Sequence, residues 1–124
     1  MIRRTALIVL AGFLASPALA QSVKLTEAQI TALLSGNTAV GVWQGASYRQ
    51  FFDPDGRTIY AQDGARSSVG QWRVQNEEYQ SIWPADADWQ GWFVMEFAGD
   101  YYWVSRATPP TVFQVVQGQQ LVAQ

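Results

Sequence analysis

Beyond Thr38 the chain never offers a connection long enough to carry it back across a sheet. Asp53-Pro54-Asp55-Gly56, Asp63-Gly64, Gln75-Asn76-Glu77 and Gly99-Asp100 separate short segments of alternating apolar residues. Parallel neighbours need a crossover of about a dozen or more residues, so connections this short permit only antiparallel pairs. Successive strands must therefore form a meander. The turn chemistry agrees: Pro54 presets the first central position of its turn and Gly56 suits the end.

The strands read as Thr38 to Gln44, Ser47 to Phe52, Arg57 to Gln62, Ser67 to Val74, Glu78 to Trp83, Trp89 to Phe97, Tyr101 to Arg106, Thr111 to Val116 and a final short Gln119 to Ala123. Pro84 to Asp88 is an acidic loop, and Thr108-Pro109-Pro110 interrupts the pairing. Eight or nine antiparallel strands in so small a chain tend to curl. The expectation is a mostly β (α+β) fold, either a strongly curved sheet or a small up-and-down barrel.

One helix precedes the strands, over residues 26–35. Thr26 is an N-cap with Gln29 three residues on, a capping box, and Leu25 and Ile30 are placed for a hydrophobic staple. Ile30, Leu33 and Leu34 form an apolar stripe, and Gly36 with Asn37 stops the helix. Ten residues span about 15 Å and are too few to be stable alone. The helix must plug one end of the β structure or cover one of its faces. Gln21 to Lys24 reads as a short flexible lead.

The first twenty residues read as a separate segment. Arg3 and Arg4 precede an apolar run from Thr5 to Ala15, Pro17 breaks it, and Ala18-Leu19-Ala20 has the A-x-A form of a cleavage site. This predicts a secretory signal peptide over 1–20, with cleavage before Gln21, and a periplasmic or secreted single domain over 21–124. The run is about half the roughly twenty residues a transmembrane helix needs. Removing Arg3 and Arg4 leaves six basic residues against ten acidic, a net charge of −4. That balance, with no basic stripe, disfavours nucleic acid and anionic lipid as partners. No cysteine is present, so no disulfide staples the domain. The core must come from six Trp, five Tyr and the five Phe beyond residue 20. Trp72, Trp83, Ile30, Leu33 and Leu34 are the expected core anchors.

Leu25-Thr26-Glu27-Ala28-Gln29-Ile30, Leu33-Leu34-Ser35-Gly36-Asn37-Thr38, Phe52-Asp53-Pro54-Asp55-Gly56, Gly70-Gln71-Trp72-Arg73-Val74 and Tyr79-Gln80-Ser81-Ile82-Trp83-Pro84 occur in that order. The chain in this respect resembles small periplasmic domains of unknown function from alphaproteobacteria. The resemblance covers about residues 25 to 84. It implies periplasmic location and this fold class, and brings no catalytic residues. Family members often carry a cysteine in the second hairpin arm and another in the next strand. Here Gln80 stands at the first position, so any such disulfide is absent. Some chains of this look are labelled dihydrodipicolinate reductases. The residues do not support that label, because a nicotinamide site needs a G-x-G-x-x-G turn between strand and helix, and none occurs.

Other chemistry is poorly supplied. With neither His nor Cys, the usual zinc and iron ligands are missing. Asp53 and Asp55 before Gly56 form a fragment of a calcium loop, better explained as a hairpin turn, and Asp86 with Asp88 is explained equally well as a solvated loop. A Ser nucleophile would lack a His base, and Lys24 is the only lysine. No cofactor is expected. An enzyme would have to use carboxylates and tyrosine, with Glu96, Asp86 and Tyr101 as candidates. Alternation places Glu96 opposite Met95 and Phe97, on a face expected to meet solvent.

The aromatics are more informative. Gly70, Trp72 and Val74 share one face of the central hairpin, with Gln71, Arg73 and Gln75 on the other, which reads as scaffold. The later strands are apolar on both faces. Trp89, Phe93, Met95 and Phe97 oppose Trp92 and Val94; Tyr101 and Trp103 oppose Tyr102 and Val104; Val112 and Val116 oppose Phe113 and Val115. Either the helix covers the second face or part of it stays exposed as a partner or ligand site. The expected function is a non-catalytic binding module for a protein, peptide or small apolar molecule, through Trp89, Trp92, Tyr102 and Trp103. The alternatives are an envelope structural or stress protein acting as a homodimer, and a carboxylate hydrolase.

Overall fold

The structure, a computed structural model, describes residues 21–122. The expected signal peptide over 1–20 and Ala123, the end of the expected last strand, lie outside them. The elements are β1 (Val23–Lys24), α1 (Glu27–Leu34), β2 (Asn37–Trp43), β3 (Ala46–Phe52), β4 (Arg57–Gln62), β5 (Ser68–Gln75), β6 (Glu78–Ile82), β7 (Gln90–Phe97), β8 (Asp100–Val104) and β9 (Thr111–Gln117).

Strands β2 to β9 form a closed eight-stranded antiparallel barrel. Each strand pairs with the next in sequence, and β9 returns to β2, with Phe113 opposite Gly41 and Gln117 opposite Asn37. The meander is therefore a barrel and not an open sheet. Closure leaves no free edge among these strands, the hazard an open sheet must otherwise manage. The turns drive local pairing. Asn76 and Glu77 both take positive φ, 57° and 61°, as a two-residue type I′ hairpin requires. At the next hairpin down the barrel, the Gly56 N–H donates to the Asp53 carbonyl at 2.9 Å.

Two terminal segments differ from expectation. Val23 and Lys24 form a strand and not a loose lead. They pair with Glu96 and Met95 of β7, whose other residues Gln90, Gly91 and Trp92 on that edge pair with β6. Strand β6 is shorter than β7, and β1 takes the backbone partners that β6 leaves free. The expected last strand does not form over residues 119–122. Side chains of β2 and β3 hold this segment instead. The Thr38 hydroxyl donates to the Gly118 carbonyl at 2.7 Å and accepts from the Gln120 N–H at 2.9 Å, and Arg49 donates to the Gln120 carbonyl at 2.9 Å.

Helix α1 closes one end of the barrel, lying against β2, β5 and β6. Its capping box is complete: Thr26 Oγ1 accepts from the Gln29 N–H at 3.2 Å, and Gln29 Oε1 accepts from the Thr26 N–H at 2.9 Å. Ile30 and Leu34 are fully buried among Phe52, Trp72, Val94 and Phe113, while Leu33 is only partly buried. Full burial of two such side chains contributes roughly 1.5–3 kcal/mol each, which is how so short a helix stays in place.

The helix thus does not cover a second face of the later strands. Curvature decides the question: Trp92, Val94, Tyr101, Trp103, Phe113 and Val115 belong to or pack on the interior core. Phe93, Met95, Phe97, Tyr102, Val112 and Val116 take the opposite parity, outside the barrel. Phe97, Val112 and Val116 remain exposed.

Candidate functional site

Odd and even strands alternate direction, so the hairpins at Asp53–Gly56, Asn76–Glu77 and Ala98–Gly99 gather at the helix end. The opposite end is reached by the turns at Gln44–Gly45 and Asp63–Ser67 and by the loops after Ile82 and Val104. That end is open. It leads to a cavity of about 900 Å³ inside the barrel, within the size range of small-molecule sites.

Inward positions of β3 and β4 supply one wall. Tyr48 and Gln50 precede Phe52 on the same face, and Tyr60 and Gln62 follow Thr58 on the neighbouring strand. The Tyr48 and Tyr60 rings are stacked, with centroids 5.3 Å apart and 16° between planes. Trp83 meets Tyr60 edge-on at 6.1 Å. Two glycines make these ring positions accessible. A Cβ on Gly41 would lie 2.9 Å from the Tyr48 hydroxyl, and one on Gly70 would lie 2.6 Å from the Trp83 ring.

The floor is a hydrogen-bonded aromatic layer. Trp103 Nε1 donates to the Tyr48 hydroxyl at 2.9 Å. Trp103 stacks on Phe113 with centroids 3.9 Å apart and meets Tyr79 at 5.0 Å. The Gln50 amide donates to the Tyr79 hydroxyl at 2.8 Å and to Thr58 Oγ1 at 3.0 Å. The Thr58 hydroxyl in turn donates to the Phe51 carbonyl at 2.8 Å. Below this layer lie Phe52, Trp72 and the two helix residues.

Burial pushes the phenols of Tyr60 and Tyr79 up to about 12 and raises that of Tyr48 as well. Desolvation disfavours the phenolate in each case. Among the described residues, no Asp, Glu, Lys or Arg lines the cavity. The lining carries Gln, Ser and Tyr groups, which bind and orient neutral polar atoms and do not supply a general base at neutral pH.

The four residues singled out in the sequence separate into two sets. Trp92 and Trp103 line the cavity, and Trp92 packs against Tyr79 at 5.9 Å. Trp89 lies outside, with the Arg73 guanidinium 4.0 Å from its ring centroid, a cation–π contact. Tyr102 is on the outer face, paired with Met95 and Val112 in register. Of the expected core anchors, Trp83 is only partly buried and lines the cavity, because Gly70 beneath it and the Asp86 carboxylate, which accepts its N–H at 3.1 Å, hold it at the rim.

The carboxylates are not brought together. Glu96 pairs with Tyr101 at the helix end, whereas Asp86 belongs to the loop at the open end. Glu96 shares the inward parity of Val94 and is half-buried, a correction to its expected solvent-facing position. Asp53 serves its turn. It accepts from the Asp55 N–H and the Arg57 guanidinium, which hold its carboxyl below the usual range.

Tyr48, Gln50, Tyr60 and Gln62 were not legible as site residues from aromatic density. The available signal was parity: two glutamines stand on the same strand face as aromatics, where an ordinary core would carry apolar residues. Comparison with family models, with curated proteins and with solved structures finds no match to this chain.

Proposed function

We propose that this protein is a non-catalytic binding module that holds a small apolar molecule inside its barrel. The reading rests on one observation, the open, aromatic-lined cavity of about 900 Å³. Such a concavity, apolar with a few convergent polar groups, is the usual form of a small-molecule site. Packed interiors otherwise leave few voids larger than a water molecule. The separation of Glu96 from Asp86 speaks against a carboxylate hydrolase. The leader over 1–20 supports an exported, periplasmic or secreted module, and mass spectrometry of the purified native protein should find Gln21 at its N-terminus.

The test is a titration with N-phenyl-1-naphthylamine, an uncharged dye that brightens in apolar surroundings. Saturation at one dye per chain is expected. Gln90→Trp, at the exposed rim, should weaken it at least tenfold, while Trp89→Phe, outside the barrel, should not. Binding unaffected by Gln90→Trp would place the dye elsewhere and remove the reading.

The outer face of β7, β8 and β9 favours a second reading, an envelope structural or stress protein acting as a homodimer. Phe97, Val112 and Val116 are 42%, 45% and 37% exposed there, and Val112 pairs with Tyr102. Sedimentation over a hundredfold concentration range tests it, and a monomer throughout would end it.

A further inference from the structure

We propose that the barrel takes an amphipathic molecule apolar end first and keeps its head, an uncharged hydrogen-bonding group such as a hydroxyl or an amide, at the mouth. The inference rests on the cavity being a small-molecule site.

The lining is graded along the barrel. Tyr48, Tyr79 and Trp103 are buried at the floor. Half-buried rings, among them Trp43, Trp83 and Trp92, form the walls. The glutamines and serines of the lining that open to solvent are all at the mouth. Gln44 stands in the turn after β2, Gln62 at the end of β4, Ser67 and Ser68 where β5 begins, and Gln90 where β7 begins.

The floor offers a ligand little beyond apolar contact. The Tyr48 hydroxyl already takes the Trp103 N–H, and Gln50 spends both amide hydrogens on Tyr79 and Thr58. The Tyr60 hydroxyl is closed off within the wall. A polar group driven to this depth gives up water for partners that are already engaged, at about 1–3 kcal/mol for each group left unpaired. The inner end of the ligand is therefore apolar, and the ring faces of the floor and walls receive it.

The mouth offers the opposite. Its side chains are amides and hydroxyls, which donate and accept without carrying charge. Gln44 holds φ at 51°, a left-handed backbone that suits Gly or Asn in a two-residue turn, so its amide stands at the mouth at a backbone cost. Among the described residues, no Asp, Glu, Lys or Arg lines the cavity. An ionic head would lose hydration on its inner side and find no counter-charge there.

Displacement of N-phenyl-1-naphthylamine from the purified protein reads the affinity of four probes of equal chain length: 1-decanol, 1,10-decanediol, decanoate and decylammonium. The alcohol should bind about tenfold tighter than the diol, whose second hydroxyl must enter the floor without a partner. Both ions should bind about tenfold or more weaker than the alcohol. Charge placed at the mouth locates the head. Gln90→Lys should raise the affinity of decanoate relative to decanol about three- to fivefold at low salt, the size of an exposed ion pair. Gln90→Glu should do the same for decylammonium.

The diol binding as tightly as the alcohol would overturn the apolar-end-first orientation. Either ion binding as tightly as the alcohol would overturn the uncharged head, and ion affinities indifferent to charge at position 90 would overturn its place at the mouth. Failure of all four probes to displace bound dye would overturn the amphipathic class while the binding reading stands. A dye that does not bind, or binds regardless of Gln90→Trp, removes the binding reading and this inference with it.

Discussion

The indole of Trp103 donates to the hydroxyl of Tyr48 across the barrel, at 2.9 Å, between strands that are not neighbours. This bond joins β8 to β3 over the heads of β9 and β2. It divides the interior into a packed half under the helix and an open half toward the mouth.

Removing the acceptor should therefore be costly. Tyr48→Phe leaves the Trp103 N–H buried without a partner, a loss of about 1–3 kcal/mol. Urea denaturation would show it as a lower midpoint at unchanged slope. In a Trp103→Phe background the same substitution should cost less, and equal costs in both backgrounds would mean the two residues are not coupled.

Tyr60→Phe should act in the opposite direction. It deletes a buried hydroxyl that has no partner, so the protein without ligand should gain on the order of 1 kcal/mol. The urea midpoint checks this.

Alkaline pH should destabilise the fold. Tyr79 is fully buried and its phenol is pushed from 10 to about 12. The folded state thus holds a proton that the unfolded chain releases above pH 10. Stability is fully present below pH 10 and falls as pH rises toward 12, by roughly 2–3 kcal/mol from Tyr79. Tyr60 and Tyr48, also raised, act in the same sense. Urea midpoints between pH 8 and 11.5 should decline only above about pH 10.

Leu34→Ala should loosen the plugged end. Leu34 is completely buried in the core cluster, and truncations of this kind cost about 2–5 kcal/mol. Thr26→Ala, which removes the cap without touching the core, should cost about 1 kcal/mol. Thermal unfolding of both variants tests the ranking, and a reversed order would contradict the helix as a packed plug.

Gly70→Ala should disturb the mouth. The added methyl would lie 2.6 Å from the Trp83 ring and 2.7 Å from the Ile82 carbonyl. The backbone atom cannot swing aside, so the strand or the indole must shift, at a cost of about 1–3 kcal/mol. Near-ultraviolet circular dichroism should change with it, through displacement of Trp83.

Much of the fold can be read without coordinates. The two-residue turn at Asn76-Glu77, the Asp53–Gly56 hairpin and the Thr26–Gln29 cap are local devices, and each forms within a few residues of where its signal stands. Strands β2 to β9 fall within a residue or two of their expected limits for the same reason. The terminal segments are not legible in this way, because their partners are distant. Lys24 pairs with Met95, and Gln120 is held by Thr38, 82 residues away.

The candidate site was only half visible. Trp92 and Trp103 could be picked out as aromatics on two-faced strands, but so could Trp89 and Tyr102, which lie outside. Tyr60 and Gln50 carry no local signal, because their surroundings are built by neighbours from other strands.

What the sequence by itself determined was the order and direction of the strands, since short turns leave no other option, and the presence of one capped helix at the start. Only the tertiary structure decided which face of β7, β8 and β9 is inside. A period of two separates the faces of a strand but does not label them, and when both are apolar the label comes from curvature. Pairing β9 with β2 closes the sheet, puts Trp92 and Trp103 in the interior with Tyr48 and Tyr60, and leaves Trp89 and Tyr102 on the surface.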